Sequence, residues 1–173
     1  MVSTGVVRRI DDLGRIVIPK EIRRTLGIRD GENLEIFIEN DNIKLKKNNI
    51  INNYTKEIEN IIASAQEIIS GEIVITDREK VISSNDVVNK GAALSIGLIN
   101  LIDERLSICD SKIEEFQIGE KVLRGYFLII PIISDGSSIG LIIVYNQEKQ
   151  VTDYYLVVKF ISILLARKTN ISC

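Results

Sequence analysis

The segment from residue 1 to 47 alternates apolar and polar positions over short stretches. Two runs, TGVVRRI (4–10) and RIVIP (15–19), predict strands joined by the turn DDLG (11–14). The stretch PKEIRRTLG (19–27) predicts a helix, because a proline suits its first position and a glycine suits its C-terminal end. The pattern therefore predicts strand, turn, strand and helix in that order.

The following residues predict a β-hairpin and then a junction. NLEIFIE (33–39) and IKLKK (43–47) alternate apolar and polar residues around the tight turn NDN (40–42). The stretch KKNNIINN (46–53) is polar and rich in asparagine, which is typical of a connection between two domains.

Beyond the junction, the spacing of apolar residues predicts a larger α+β sheet domain. Isoleucines recur at three- and four-residue steps between 58 and 69, as on one face of an amphipathic helix. Long apolar runs on both sides of SDGS (134–137) predict a hairpin of two strands. The expected elements are helices over 54–69, 86–106 and 152–168, and strands over 72–77, 80–84, 124–133 and 138–145.

Charge is distributed unevenly, although the whole chain carries a net charge of only −2 at pH 7. Residues 1–29 hold seven Lys or Arg against three acidic residues, whereas residues 51–173 hold twelve basic against sixteen acidic. This split predicts that a polyanion binds the N-terminal segment alone. For Arg23 and Arg24 taken by themselves, a solvated helix face is the simpler interpretation. The candidate contact residues are Arg8, Arg9, Arg15, Lys20, Arg23 and Arg24.

Acidic residues stand beside the basic ones in the turn DDLG. We expect Asp11 and Asp12 to hold neighbouring arginine side chains in position through ion pairs. Gly14 is typical of a turn glycine and not of a phosphate-binding loop.

Composition argues against several other classes of protein. The chain has no histidine and no G-x-x-x-x-G-K-[ST] or G-x-G-x-x-G motif, so we expect neither an enzyme nor a bound cofactor, although carboxylate chemistry stays open. Cys109 and Cys173 are isolated, which predicts no disulfide and no metal site, with Cys109 as a packing residue. The longest apolar run, YFLIIPII, is far shorter than the ~18 residues of a membrane span. The first residues lack a signal-peptide pattern, so we expect a cytoplasmic protein without membrane contact.

The N-terminal segment is too small to build a stable core from one copy. A unit of roughly 50 residues usually needs a metal, a disulfide or a partner chain to fold. Since the sequence predicts neither a metal site nor a disulfide, we expect an obligate homodimer whose strands interleave around one core. The residues expected in that shared core are Ile16, Ile18, Leu34 and Ile36.

A resemblance to a known family covers residues 3–47, with DDLGRIVIPKEIRR and a G-[ED]-x-[LI]-E-I strand at its centre. This segment resembles the AbrB-type swapped-hairpin DNA-binding domain. The resemblance implies an interleaved dimeric β-barrel over residues 1–50, whose basic face is formed by two protomers and binds double-stranded DNA. The family's contact arginines match Arg8, Arg15, Arg23 and Arg24, and Arg9 and Lys20 fall in the same patch. Arginine suits this role because its planar fork pairs with phosphate oxygens or a guanine edge.

The order of elements after the junction is similar to that of a GAF-type domain, here over residues 54–173. The whole layout resembles sporulation regulators of endospore-forming bacteria. This resemblance implies a nucleoid-associated regulator that activates some sporulation genes and represses others. The alternative is a MazE-type antitoxin, which shares the N-terminal fold but neutralises a toxin protein through a tail. Such tails are usually short and disordered when free, whereas residues 54–173 have the periodicity of a folded domain.

Two roles of the second domain stay open. In the first, an unknown small-molecule effector lies on a floor of alternate residues from 126–133 and 139–145, with residues 107–120 as a lid. In the second, the domain has a filled core, and its helices join two dimers into a tetramer.

Overall fold

The computed structural model describes residues 5–28, 34–47, 50–85 and 87–170, and the chain divides into two compact units. We name them the N-terminal unit, Met1–Asn48, and the C-terminal unit, Asn49–Cys173. The N-terminal unit contains helix α1 (Lys20–Thr25) and strands β1 (Leu34–Glu39) and β2 (Asn42–Lys47). The C-terminal unit contains a 3₁₀ turn (Ile50–Tyr54), α2 (Thr55–Gln66), β3 (Glu72–Thr76), β4 (Val81–Ser84), α3 (Ile96–Glu104), β5 (Ile108–Ile118), β6 (Lys121–Ser134), β7 (Ser137–Asn146), a second 3₁₀ turn (Thr152–Tyr154) and α4 (Tyr155–Asn170).

Helix α1 is short, and proline and glycine define its two ends. Pro19 is the N-cap, so the helix begins one residue later than predicted. At the other end Gly27 adopts a φ of +62°, and its N–H donates to the Arg24 carbonyl at 3.2 Å. The Ile28 N–H donates to the Arg23 carbonyl at 2.7 Å, which completes a Schellman motif. The predicted terminal glycine is confirmed.

Strands β1 and β2 form the predicted hairpin. They pair antiparallel, with Glu39 opposite Asn42 at the closed end. Asn40 and Asp41 form the turn with φ values of +48° and +59°. Positive φ at both positions is the signature of a type I′ turn, whose twist matches that of the paired strands.

The two strands predicted ahead of the hairpin are not formed in this single chain. Residues 5–10 and 15–19 have no regular secondary structure. A strand needs a neighbour for its ladder of hydrogen bonds. In the described part of the N-terminal unit, β1 and β2 pair only with each other.

Apolar side chains of the N-terminal unit are exposed in the single copy. Among the residues of this unit that the structure describes, Pro19 is the one buried residue. Val7 is 91% exposed and Ile38 is 85% exposed. Ile16 and Ile36, two residues expected in a shared core, are 51% and 67% exposed. The described residues of one copy therefore form no core of their own.

The C-terminal unit is built on a five-stranded antiparallel sheet with the strand order β4-β3-β7-β6-β5. Strands β6 and β7 are joined by Asp135 and Gly136, which adopt φ values of +46° and +71°. The predicted hairpin around SDGS is therefore confirmed, and β7 lies at the centre of the sheet.

Helices cover both faces of this sheet. On one face, α2 and α4 pack on side chains such as Ile130 of β6 and Ile142 of β7. On the other face, α3 packs on Phe127 and Ile129 of β6. Successive residues of a strand point to opposite faces, so a strand covered on both sides is apolar at nearly every position. The predicted α+β class is confirmed.

The first residues of the C-terminal unit are packed, although their sequence predicts a polar junction. Ile51, in the first 3₁₀ turn, is 1% exposed and belongs to the core under α2 and α4. The Asn52 side-chain amide donates to Asp77 Oδ2 at 3.3 Å, and the Asn52 carbonyl accepts from the Thr55 hydroxyl at 2.9 Å. The chain from residue 51 onward is thus part of the C-terminal unit.

The segment 107–120, predicted as a lid, is mostly the strand β5. This strand pairs with β6, and a bulge lies between Cys109 and Ile113. The predicted ligand floor is also closed, because helices cover both faces of the sheet and residues such as Ile142 are 0% exposed. The predictions of a lid and an open floor are therefore wrong, and so is the prediction that Cys109 is packed, since it is exposed.

Two of the predicted helices start later than expected. The helix predicted over 86–106 is α3 alone, because Ala93 and Leu94 form β-bridges to Lys80 and Ile118 and so follow an extended path. The last helix, α4, begins at Tyr155. Thr152, the first residue of the predicted helix, lies in the second 3₁₀ turn ahead of it.

Candidate nucleic-acid interface

The six basic residues predicted to contact DNA all lie in the described stretch 5–28. Arg8 and Arg9 are exposed in the irregular first segment, and Arg15 is exposed at the end of the loop that follows. The other three, Lys20, Arg23 and Arg24, lie on α1, where only Arg23 is half-buried.

Helix α1 places its basic residues on one face. Lys20, Arg23 and Arg24 are separated by three and four positions, and side chains at this spacing are neighbours on a helix surface. Arg23 and Arg24 lie in the last turn, where the helix dipole favours positive charge. The helix has only six residues, and the Schellman motif ends it directly after these basic residues.

Arg15 is held by the carboxylate of Asp11. Oδ1 of Asp11 accepts from the Arg15 backbone N–H at 2.8 Å and from the Leu13 N–H at 3.1 Å. Oδ2 accepts from Arg15 Nε at 2.8 Å. Two backbone bonds close the same loop, Asp11 N–H to the Arg15 carbonyl at 3.0 Å and Gly14 N–H to the Asp11 carbonyl at 2.9 Å. We call residues 11–15 the Asp11 loop.

These bonds change the acidity of Asp11. The backbone N–H of Arg15, followed by its guanidinium, lowers the pKa of Asp11 below its ordinary value of 3.8. Gly14 takes a φ of +75° in this loop, a conformation that costs an L-residue energy. The prediction that Asp11 holds an arginine is confirmed. Asp12, in contrast, pairs with no arginine among the residues that the structure describes.

The electrostatic character of the stretch 5–28 is positive, with six basic residues against three acidic ones. Most of the basic side chains are exposed, so a binding partner can reach them. An exposed set of arginines suits phosphate oxygens, because the guanidinium donates several hydrogen bonds in one plane. The sequence predicts an ion pair for Asp11 but not its bonds to the backbone N–H groups of Leu13 and Arg15, for which the D-x-x-G turn is only a partial signal.

The described part of the C-terminal unit includes a polar and an apolar cleft, and the first of them reaches Tyr145 at the end of the predicted ligand floor. One, of about 550 Å³, lies at the end of β3, β6 and β7 and is lined in part by Glu72, Lys121 and Tyr145. The Tyr145 hydroxyl donates to the Arg124 carbonyl at 3.2 Å, and burial, with the charge of Glu72, raises the pKa of Tyr145. The other, of about 330 Å³, is an apolar groove between α2 and α4.

No helix in the described part of the chain has both the length and the apolar character needed to cross a membrane. Over the same described ranges, no three His, Cys, Asp or Glu side chains are grouped so as to hold a metal ion.

Known proteins match the N-terminal unit. Residues 7–51 match the family described as "Antidote-toxin recognition MazE, bacterial antitoxin". Over 47 residues, the chain is 57% identical to the transition state regulatory protein AbrB of Bacillus subtilis (strain 168). This match covers 27% of this chain and 49% of AbrB.

A second relative matches nearly the whole chain. Stage V sporulation protein T of Bacillus subtilis (strain 168) is 35% identical over an alignment of 157 positions, and the match covers 86% of this chain and 87% of that protein. The N-terminal unit and these relatives define a transcription regulator of the AbrB type. The chain belongs to the family of stage V sporulation protein T. The resemblance to sporulation regulators is therefore confirmed.

Among solved structures, the GAF domain from an Acinetobacter phosphoenolpyruvate-protein phosphotransferase is similar to this chain, with a TM-score of 0.43 and 14% identity. The similarity covers 70% of this chain and 88% of that one. At this TM-score it carries no weight for function.

Proposed function

We propose that the protein is a homo-oligomeric regulator that binds double-stranded DNA near sporulation genes and activates some of them while it represses others. The observation that carries this proposal is the exposed basic set of the stretch 5–28, in a unit that is 57% identical to AbrB. Such a regulator acts at the nucleoid, in the cytoplasm. No substrate or cofactor enters this function, which is not that of an enzyme.

The DNA contacts are proposed at six positions of each copy. Arg15 is bonded to Asp11 in the Asp11 loop, and the basic face of α1 lies on a helix with defined ends. Arginine can pair with two phosphate oxygens or with the O6 and N7 atoms of guanine. The proposed contact residues are Arg8, Arg9, Arg15, Lys20, Arg23 and Arg24.

The exposed apolar side chains of the N-terminal unit support self-association as an obligate dimer. Val7 and Ile38 are 91% and 85% exposed in one copy, and large exposed apolar surfaces usually mark contacts with another protein. A second copy that interleaves its strands would bury these side chains and give residues 5–10 and 15–19 ladder partners. The dimer would then present two sets of basic residues on one face.

The C-terminal unit has a surface that supports a tetramer. Leu156, Phe160 and Ile163 of α4 are 78%, 65% and 44% exposed. Their spacing of four and three residues places them on one face of the helix. The opposite face of α4 packs on β6 through residues such as Ile161. We propose that two dimers join through this exposed face. The alternative role of the C-terminal unit is to bind an unidentified small-molecule effector.

The test of DNA binding is the salt dependence of affinity. If two copies neutralise roughly six to eight phosphates, the logarithm of the association constant should fall against the logarithm of salt concentration with a slope of about −5 to −7. Replacing Arg8, Arg15, Arg23 or Arg24 with alanine should weaken binding and flatten this slope, with little change in the thermal midpoint. Fluorescence anisotropy with a promoter fragment measures the affinity at each salt concentration and so gives the slope.

A matched control lies in the same unit. Lys46 of β2 is exposed and is not one of the six proposed contact residues, so Lys46→Ala removes the same charge but should change the slope little. Affinity that does not depend on salt, or equal slopes for the arginine variants and the control, would overturn the assignment.

The antitoxin function remains a second candidate because residues 7–51 match the MazE family. A folded C-terminal unit with a five-stranded sheet favours the regulator, since a toxin-binding tail is usually disordered when free. A purified chain that binds promoter DNA only together with a second protein would favour the antitoxin instead.

A further inference from the structure

Both oxygens of the Asp11 carboxylate are used, and they serve different groups. Oδ1 accepts the N–H groups of Leu13 and Arg15 and so fixes the backbone of the Asp11 loop. Oδ2 accepts from Nε of the Arg15 side chain at 2.8 Å. One oxygen therefore shapes the loop, and the other orients a side chain.

The bond to Nε leaves the rest of the guanidinium available. Arginine has five N–H groups, and four of them belong to the two terminal nitrogens. The Arg15 side chain is 71% exposed, so these four donors face solvent. An arginine that is oriented before binding loses less side-chain freedom when it meets its partner.

We propose that Asp11 is a positioning residue for DNA recognition, which aims the Arg15 guanidinium at the nucleic acid through Oδ2. The inference rests on the proposed DNA-binding function. By charge alone, removal of the Asp11 carboxylate should strengthen DNA binding, because a carboxylate repels phosphate. The positioning role predicts the opposite result. The two effects have opposite signs, so one measurement can separate them.

The substitution Asp11→Asn isolates the positioning effect. An asparagine oxygen can still accept from the Leu13 and Arg15 N–H groups, so the loop is retained. The amide nitrogen that replaces Oδ2 is a donor and cannot accept from Nε. Although the variant is more positive, its affinity for DNA should fall by roughly five- to tenfold for a dimer, the scale of two lost exposed ion pairs.

Asp12→Asn is the matched control. It makes the same change of charge one position away, and Asp12 pairs with no arginine in the described segments. Its affinity should be unchanged or higher. In an Arg15→Gln background, Asp11→Asn should cost no further affinity, because there is no guanidinium left to orient.

The outcomes distinguish this inference from the function on which it rests. If Asp11→Asn binds as tightly as the native chain or more tightly, or weakens no more than Asp12→Asn, the positioning role is overturned. If the native chain shows no salt-dependent DNA binding, the proposed function itself fails. Should Asp11→Asn not fold, the Arg15 Nε–H signal in NMR spectra of the native chain decides, since rapid solvent exchange of that proton contradicts a bond to Asp11.

Discussion

At the scale of single residues, the protonation of Asp11 is coupled to the shape of its loop. The carboxylate accepts three hydrogen bonds, which lower its pKa from the ordinary 3.8. Because the folded pKa is lowered, the stabilisation of the loop is present above pH 3.8 and is lost as the pH falls through the folded pKa. The loop should therefore keep its structure at any neutral or mildly acidic pH.

We expect the Asp11 carboxyl carbon to titrate in NMR spectra with a midpoint below 3.8. Arg15→Gln should raise this midpoint only in part, because the backbone N–H groups of Leu13 and Arg15 still donate to Oδ1. A native midpoint at or above 3.8 would contradict the hydrogen bonds of the Asp11 loop.

The basic residues of the candidate interface could be predicted from the sequence, because charge is a property of the residue type. The partner of Arg15 could be predicted only as one of two adjacent aspartates. The choice of Asp11 over Asp12 depends on how the loop closes around Gly14 at a φ of +75°. Loop closure of this kind is a property of the folded backbone and leaves no separate pattern in the sequence.

At the scale of secondary-structure elements, β5 shows why an edge strand is hard to predict. Six of the eleven residues in its sequence, ICDSKIEEFQI, are polar, only its last residue is buried, and the bulge between Cys109 and Ile113 interrupts the alternation. The strand forms because β6 supplies a long partner on one side. In the middle of β6 and β7, by contrast, burial on both faces makes nearly every position apolar, so these strands were predictable.

Helix α4 gives an element-scale prediction about assembly. Phe160→Asp should leave the C-terminal unit folded, because Phe160 is 65% exposed, but should lower the oligomeric state of the full chain measured by sedimentation equilibrium. A charge placed in an apolar contact between subunits would be buried without a partner.

The control for this variant is Ile96→Asp. Ile96 is 77% exposed at the start of α3, on the other face of the sheet, so this change adds the same charge away from the proposed contact. If both variants keep the native oligomeric state, the α4 face is not the contact between subunits.

At the scale of the whole molecule, the two units differ in how they can be stable. The C-terminal unit has a core on each face of its sheet, whereas the described residues of the N-terminal unit bury only Pro19. The uneven charge and the asparagine-rich junction predicted two parts. The small size of the N-terminal unit predicts that it needs another chain, since small units rarely bury enough apolar surface.

A fragment of residues 1–48 should fold only as a dimer, so its melting temperature should rise with protein concentration in circular dichroism. The fragment ends at residue 48 because Ile51 belongs to the core of the C-terminal unit. A folded monomer, or a melting temperature that stays constant over a hundredfold range of concentration, would contradict the proposed dimer.

The burial of Ile51 also limits how such regulators can exchange parts during evolution. A recombination point ahead of residue 50 transfers a complete C-terminal unit to a new N-terminal partner, with Ile51 in its core. A recombination point after residue 54 replaces Ile51 and Asn52 and removes both the apolar side chain and the bond to Asp77. We therefore expect a hybrid to fold when its joining point lies ahead of Ile51, so that Ile51 stays with the sheet that buries it.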